Sequence, residues 1–140
     1  MALGLRGLTP LLQVHDMPTA VRFYRDMLGF EVVSTSPVLG PDRFHWAWLR
    51  LGSAELMLNT AYEHDDERPP VPDAARVAAH EDTGLFLGCP DVDAAYKELR
   101  GKGVPVKEPK VAGYGMKQMY VHDPDGYVLC FQWSAGEERA

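Results

Sequence analysis

The sequence predicts an α+β protein: two βαβββ modules in tandem, forming curved mixed sheets around a cavity. Three observations lead there. LLQVHDMPTAVRFYRDMLGFEVV from Leu11 and LFLGCPDVDAAYKELRGKGVPVK from Leu85 share one plan: apolar strand, Asp, amphipathic segment, Gly, second strand. The copies are offset by about 75 residues, roughly half of the 140-residue chain. Each is followed by two more strand-like runs, RFHWAWLRL and AELMLNT in the first half, MKQMYV and YVLCFQW in the second. Neither copy has an opposing surface of its own, so a site is expected at the junction of the two.

Met17, Ala20, Val21, Tyr24, Met27 and Leu28 recur at three- and four-residue steps, the signature of one apolar helix stripe. Asp16 supplies an N-cap oxygen, Pro18 suits the first turn and Gly29 ends the helix. Val92, Ala95, Tyr96 and Leu99 form the same stripe after Asp91, with Gly103 as the stop. GFEVVSTS and GVPVKEP are the strands expected after the two helices. Module 1 covers about residues 8–59, a linker or lid about 60–82, and module 2 about 83–133. The linker is rich in charge and Pro, with DAARVAAH as a short helix; connections of this length are functional or mobile as a rule. The polar tail 134–140, SAGEERA, is expected to fray.

The turn at Gly52-Ser53 carries the most specific inference. As a two-residue hairpin loop it pairs Leu51 with Ala54, Arg50 with Glu55, Trp48 with Met57 and Trp46 with Asn59. Alternation then places Phe44, Trp46, Trp48, Arg50, Glu55, Met57 and Asn59 on one face. An aromatic wall with a few polar groups suits a small-molecule pocket. The competing reading is a core face on which Arg50 and Glu55 satisfy each other across the strands. Ala47, Leu49, Leu56 and Leu58 on the other face already supply an apolar side for the helices. In the second half Tyr114 lies between glycines, where a loop could carry its ring over a pocket, and Gln118 and Tyr120 share a strand face.

Composition narrows the function classes. With 46% hydrophobic residues the chain can bury a sizeable core, and a net charge of −6 argues against nucleic acid as a partner. No apolar run approaches a membrane span and MALGLRGLTP has no signal-peptide core, so the expected location is cytoplasmic, with no membrane partner. Cys89 and Cys130 are expected to be reduced core residues. The chain has no Walker loop, G-x-S-x-G elbow, H-E-x-x-H or C-x-x-C, and neither Cys has an identifiable His partner for nucleophilic catalysis.

HDMPTAVRFYRDMLGFEVV, PDVDAAYKELRGKGV and HDPDGYVLCFQW resemble the vicinal oxygen chelate superfamily, over residues 8 to 133. It includes glyoxalase I, fosfomycin-resistance transferases, extradiol dioxygenases and bleomycin-resistance proteins. FYRDMLGFEV with DPDG at this separation is specific for the glyoxalase/bleomycin-resistance-like fold and weakly specific for the reaction. The resemblance implies homodimers in which paired modules complete each cavity, although two modules of one chain could also close it. It also implies metal ligands at four repeat-related positions, which fall here at Thr9, Glu55, Gly84 and Cys130. Only Glu55 is a standard family ligand. His15, His45, His64, His80 and His122 lie elsewhere, so no metal or other cofactor is expected. The resulting expectation is a metal-free protein that sequesters a small, cationic or aromatic ligand. The alternative is a lyase, isomerase or dioxygenase-like enzyme with Glu55 as acid/base or remnant metal ligand, a base role that an Arg50 neighbour would weaken.

Overall fold

In the computed structural model, which describes residues 3–62 and 64–136, each half forms one four-stranded mixed sheet. The first contains β1 (Leu11–Val14), β2 (Glu31–Thr35), β3 (Trp46–Leu51) and β4 (Ala54–Thr60), in the order β1-β4-β3-β2. The second contains β5 (Gly84–Gly88), β6 (Lys110–Val111), β7 (Met116–His122) and β8 (Val128–Ser134), in the order β5-β8-β7-β6. In both, the first strand runs parallel to the last and the other pairs are antiparallel. The sheets are open rather than closed.

Both helices start where the sequence places them. Asp16 accepts from the Thr19 N–H at 3.2 Å and caps α1 (Met17–Val21). Asp91 accepts from the Ala94 N–H at 3.0 Å and caps α3 (Val92–Gly101). Gly29 and Gly103 follow the helices at φ 92° and 83°, a conformation that favours glycine. One feature departs from the simple periodicity: α1 continues through Arg22–Met27 as a wider turn, with the Leu28 N–H donating to the Phe23 carbonyl at 3.1 Å.

Two strand expectations need correction. GVPVKEP, residues 103–109, forms no strand, and the only strand pairing comes just after it at Lys110–Val111. Pro105 and Pro109 lack the N–H that a ladder requires, which leaves 104–109 as a loop. β3 begins at Trp46 rather than Arg43, because the Ser36 hydroxyl accepts the N–H groups of His45 at 2.9 Å and Trp46 at 3.1 Å. The last strand runs on to Ser134, the first residue of the expected tail, and 137–140 of that tail lie outside the described residues.

The core is one cluster drawn from both halves. Leu12, Val14, Ala47, Leu49, Leu56 and Leu58 of the first sheet join Met119, Val121, Leu129 and Phe131 of the second, with Met17, Ala20, Val21, Tyr24, Val92 and Leu99 from the helices. Leu49 and Leu58 are fully buried, and burial of such a side chain contributes about 1.5–3 kcal/mol. Polar contacts tie the halves together. The Tyr24 hydroxyl donates to Asp123 at 2.7 Å, and the His15 N–H donates to Asp125 at 2.7 Å.

The linker packs onto this junction. Asp73 caps a short helix, α2 (Ala74–Ala79), in the segment expected to be helical. Arg76 donates to the Gln13 carbonyl at 2.7 Å, and His80 stacks on Tyr127 with ring centroids 3.9 Å apart. Arg68 pairs with Asp16. No helix among the described residues is long and apolar enough to cross a membrane.

Candidate functional site on the open faces of the two sheets

The β3–β4 hairpin has the register that its two-residue turn predicts: Leu51 opposes Ala54, Arg50 opposes Glu55, Trp48 opposes Met57 and Trp46 opposes Asn59. Gly52 sits at φ 60°, the left-handed conformation such a turn requires. The pleat then sorts the side chains. Ala47, Leu49, Leu56 and Leu58 are buried toward the helices, whereas Trp46, Trp48, Glu55, Met57 and Asn59 are half-buried and Arg50 is exposed on the other face. That open face continues onto β1, where Gln13 accepts from the Asn59 amide at 3.3 Å.

One expectation about this face fails, and so does the ion pair of the competing core-face reading. Phe44 is not on it: the ring is buried in the core, because alternation holds only within the paired strand and Phe44 precedes β3. Arg50 and Glu55 are cross-strand neighbours but are not the ion pair. Arg50 pairs with Glu31 of β2 at 3.6 Å and lies 5.8 Å from the Trp48 ring centroid. Glu55 instead accepts the indole N–H of Trp48 at 2.8 Å. The carboxylate is thus held by an aromatic donor rather than cancelled by a cation.

The second sheet presents a different open face. Cys130 stands 75 residues after Glu55, and Tyr120 opposes it as Arg50 opposes Glu55. Gln132 takes the place of Met57, and Gln118, which opposes it, the place of Trp48. Gln118 is buried and donates to the Tyr114 hydroxyl at 2.6 Å and to the Gln132 carbonyl oxygen at 2.9 Å. The Tyr120 hydroxyl donates to the remaining Gln118 oxygen at 3.4 Å. Tyr114, Gln118 and Tyr120 are therefore brought together, and Gln132, which sequence reasoning did not single out, completes them. One face is aromatic with a carboxylate, the other a network of amides and hydroxyls.

The four repeat-related positions supply few metal donors. Glu55 borders a cavity of about 500 Å³ with Thr9, and one of about 350 Å³ with Gly84. Gly84 has no donor side chain. Burial pushes the Cys130 thiol up, which disfavours the thiolate that binds metals. Among the described residues no three His, Cys, Asp or Glu side chains come together as metal ligands. The residues present do not fit a catalytic divalent ion, which needs about three protein ligands. Both cysteines are free thiols. His15 is buried, with its N–H bonded to Asp125 but its Nδ1 unpartnered, and His45 reaches the Thr60 hydroxyl at 3.4 Å.

A family model, Glyoxalase/Bleomycin resistance protein/Dioxygenase superfamily, matches residues 8–131. The chain belongs to this superfamily. Membership accounts for the two open sheets and the buried junction between modules. Among solved structures the superfamily fold recurs in TnmS3, an antibiotic binding protein from Streptomyces sp. CB03234. It is 24% identical with a TM-score of 0.67, and the match covers 95% of this chain and 99% of that one. A bleomycin resistance determinant encoded on the transposon Tn5 is 20% identical with a TM-score of 0.66, covering 93% and 98%. A bleomycin-binding protein complexed with bleomycin is 19% identical with a TM-score of 0.65, covering 93% and 99%. At these identities the likeness is one of fold. A search of the curated proteins found no match.

Proposed function

We propose that this protein binds and sequesters a small molecule, without a metal, against the aromatic face of its first sheet. The observation that carries the reading is that Trp46, Trp48, Met57 and Glu55 share one half-buried open face, with Trp48 bonded to Glu55, on a sheet whose other side is the core. Flat aromatic surface suits a planar guest, and the anchored Glu55 carboxylate offers an acceptor to an N–H or a cationic group. The antibiotic-binding and bleomycin-binding proteins among the similar folds support a binding role over a reaction. Among the described residues no fitting donor set surrounds Glu55, which supports the metal-free part.

A second copy of the chain completes the cavity in this reading. Leu11, Phe86 and Tyr120 are 45%, 56% and 49% exposed on the open faces, apolar surface that a partner would cover. The protein is then a cytoplasmic homodimer. Sedimentation at micromolar concentration reads this directly: a monomer at all concentrations contradicts it.

Because Arg50 is engaged by Glu31, Glu55 also remains available as an acid/base, the specific observation that favours the alternative of a small-substrate enzyme. A thermal-shift panel of cationic aromatic drugs, neutral planar compounds and small oxoacids, with mass spectrometry of each stabilising compound, separates the two. Stabilisation with the compound recovered intact supports sequestration. Consumption that depends on Glu55 supports catalysis.

A further inference from the structure

We propose that the cavity on the open side of the second sheet holds the oxyanion, carboxylate or phosphate, of a planar small molecule. This rests on the ligand-binding reading above and adds an anionic group to a guest whose N–H or cationic group meets Glu55. The cavity measures about 780 Å³, larger than either space beside Glu55 and within the range of drug-sized sites. Its walls include Lys107, Glu108, Lys110, Gln118, Tyr120 and His122. In a chain with net charge −6, this lining holds two ammonium groups against one carboxylate. Neither Lys107 nor Lys110 belongs to an ion pair among the described residues, whereas His122 is engaged by Glu81 at 3.1 Å.

The polar floor is held by internal bonds. Gln118 is 8% exposed, and both its N–H donors are used inside the protein, on Tyr114 and Gln132. Its carbonyl oxygen accepts from Tyr120. The donor left beside this floor is the hydroxyl of Tyr114. The Tyr114 oxygen accepts from Gln118 and so keeps its own proton to give, from a ring that is 71% exposed. Two ammonium groups at one cavity, with a hydroxyl donor next to its Gln118 wall, match a charged, acceptor-rich group rather than an amine. The amide network fixes the floor, so the site does not have to be organised by the ligand.

Calorimetric titration of the full chain with four matched probes tests this: 1-naphthoate, 1-naphthyl phosphate, 1-naphthamide and 1-naphthylmethylamine. The two oxyanions are expected to bind at least about tenfold more tightly than the amide and the amine, with the advantage shrinking as salt is raised. Whichever of the two is tighter identifies carboxylate or phosphate as the better fit. The Lys107→Gln, Lys110→Gln double variant should reduce both oxyanions to the affinity of the amide, with its melting temperature and circular dichroism showing that it is folded. Equal affinities for all four probes, no binding of either oxyanion, or an advantage retained by the double variant would overturn the proposal. Naphthoate resonance shifts confined to Trp48 and Glu55, with none at the Gln118 side-chain amide, would overturn it while leaving the ligand-binding reading in place.

Discussion

Trp48 donates its indole N–H to Glu55 at 2.8 Å, and so the aromatic wall and the carboxylate of the first sheet are one structural unit. The bond runs diagonally across the hairpin, since Trp48 opposes Met57 and Glu55 opposes Arg50. It fixes the plane of the indole that a guest would meet and leaves the second carboxylate oxygen for that guest.

The pair predicts a graded response to substitution. Glu55→Gln keeps an acceptor for the indole and should lose little, whereas Glu55→Leu strands a half-buried N–H and should cost about 1 kcal/mol in urea unfolding. Equal stability of Glu55→Leu and the parent protein would show that the bond contributes nothing in the free state.

The junction between the halves predicts an unusual pH dependence. Burial pushes Asp123 up to about 6, against the lowering effect of its bonds from Tyr24 and the Tyr127 and Asp125 N–H groups; the neighbouring Asp125 adds to the rise. Asp125 itself is raised by burial. The folded protein therefore binds a proton between about pH 4 and 6 that the unfolded chain does not, and this contribution to stability is present below about pH 4 and lost as pH rises through 6. The span corresponds to roughly 2–3 kcal/mol. Denaturant unfolding from pH 4 to 7 should show this component as a downward slope that Asp123→Asn flattens. An identical slope in the variant would contradict the assignment.

The linker predicts a steric response. A Cβ at Gly126 would lie 2.3 Å from the Val77 carbonyl oxygen of α2, at φ 89°. Gly126→Ala should therefore destabilise the protein by about 2 kcal/mol or more and expose the 64–82 segment to protease. Unchanged cleavage there would mean that α2 does not need its seat on the Asp123–Tyr127 turn.

Phe44 separates packing from binding. Its ring belongs to the core, so Phe44→Ala should lower stability by about 3–5 kcal/mol. Ligand affinity measured below the unfolding transition should be retained. Loss of affinity with stability intact would return Phe44 to the open face.

These outcomes also mark what the sequence could and could not convey. A two-residue turn admits one register, so Gly52 and Ser53 specified every β3–β4 pair, and the capping Asp residues specified both helix starts. The connection from His122 to Val128 is longer and fixes no register, so the Gln118–Gln132 contact was not legible. Arg50 finds Glu31 through β2, whose pairing shifts between Val32 and Ser34, and no local pattern signals such a bulge. The contacts of Tyr24 with Asp123 and His15 with Asp125 span 99 and 110 residues and depend on how the modules dock, which apolar periodicity does not encode.

The aromatic face of the first sheet is proposed to hold a small molecule without a metal. The most direct test is calorimetric titration of chelator-treated protein with a planar compound that stabilises it, repeated with added divalent ion and with Trp48→Ala. Saturable binding is expected in the chelated protein, unchanged by metal and weakened at least about tenfold by the substitution. Binding that appears only after metal is added, or that Trp48→Ala leaves intact, would contradict it.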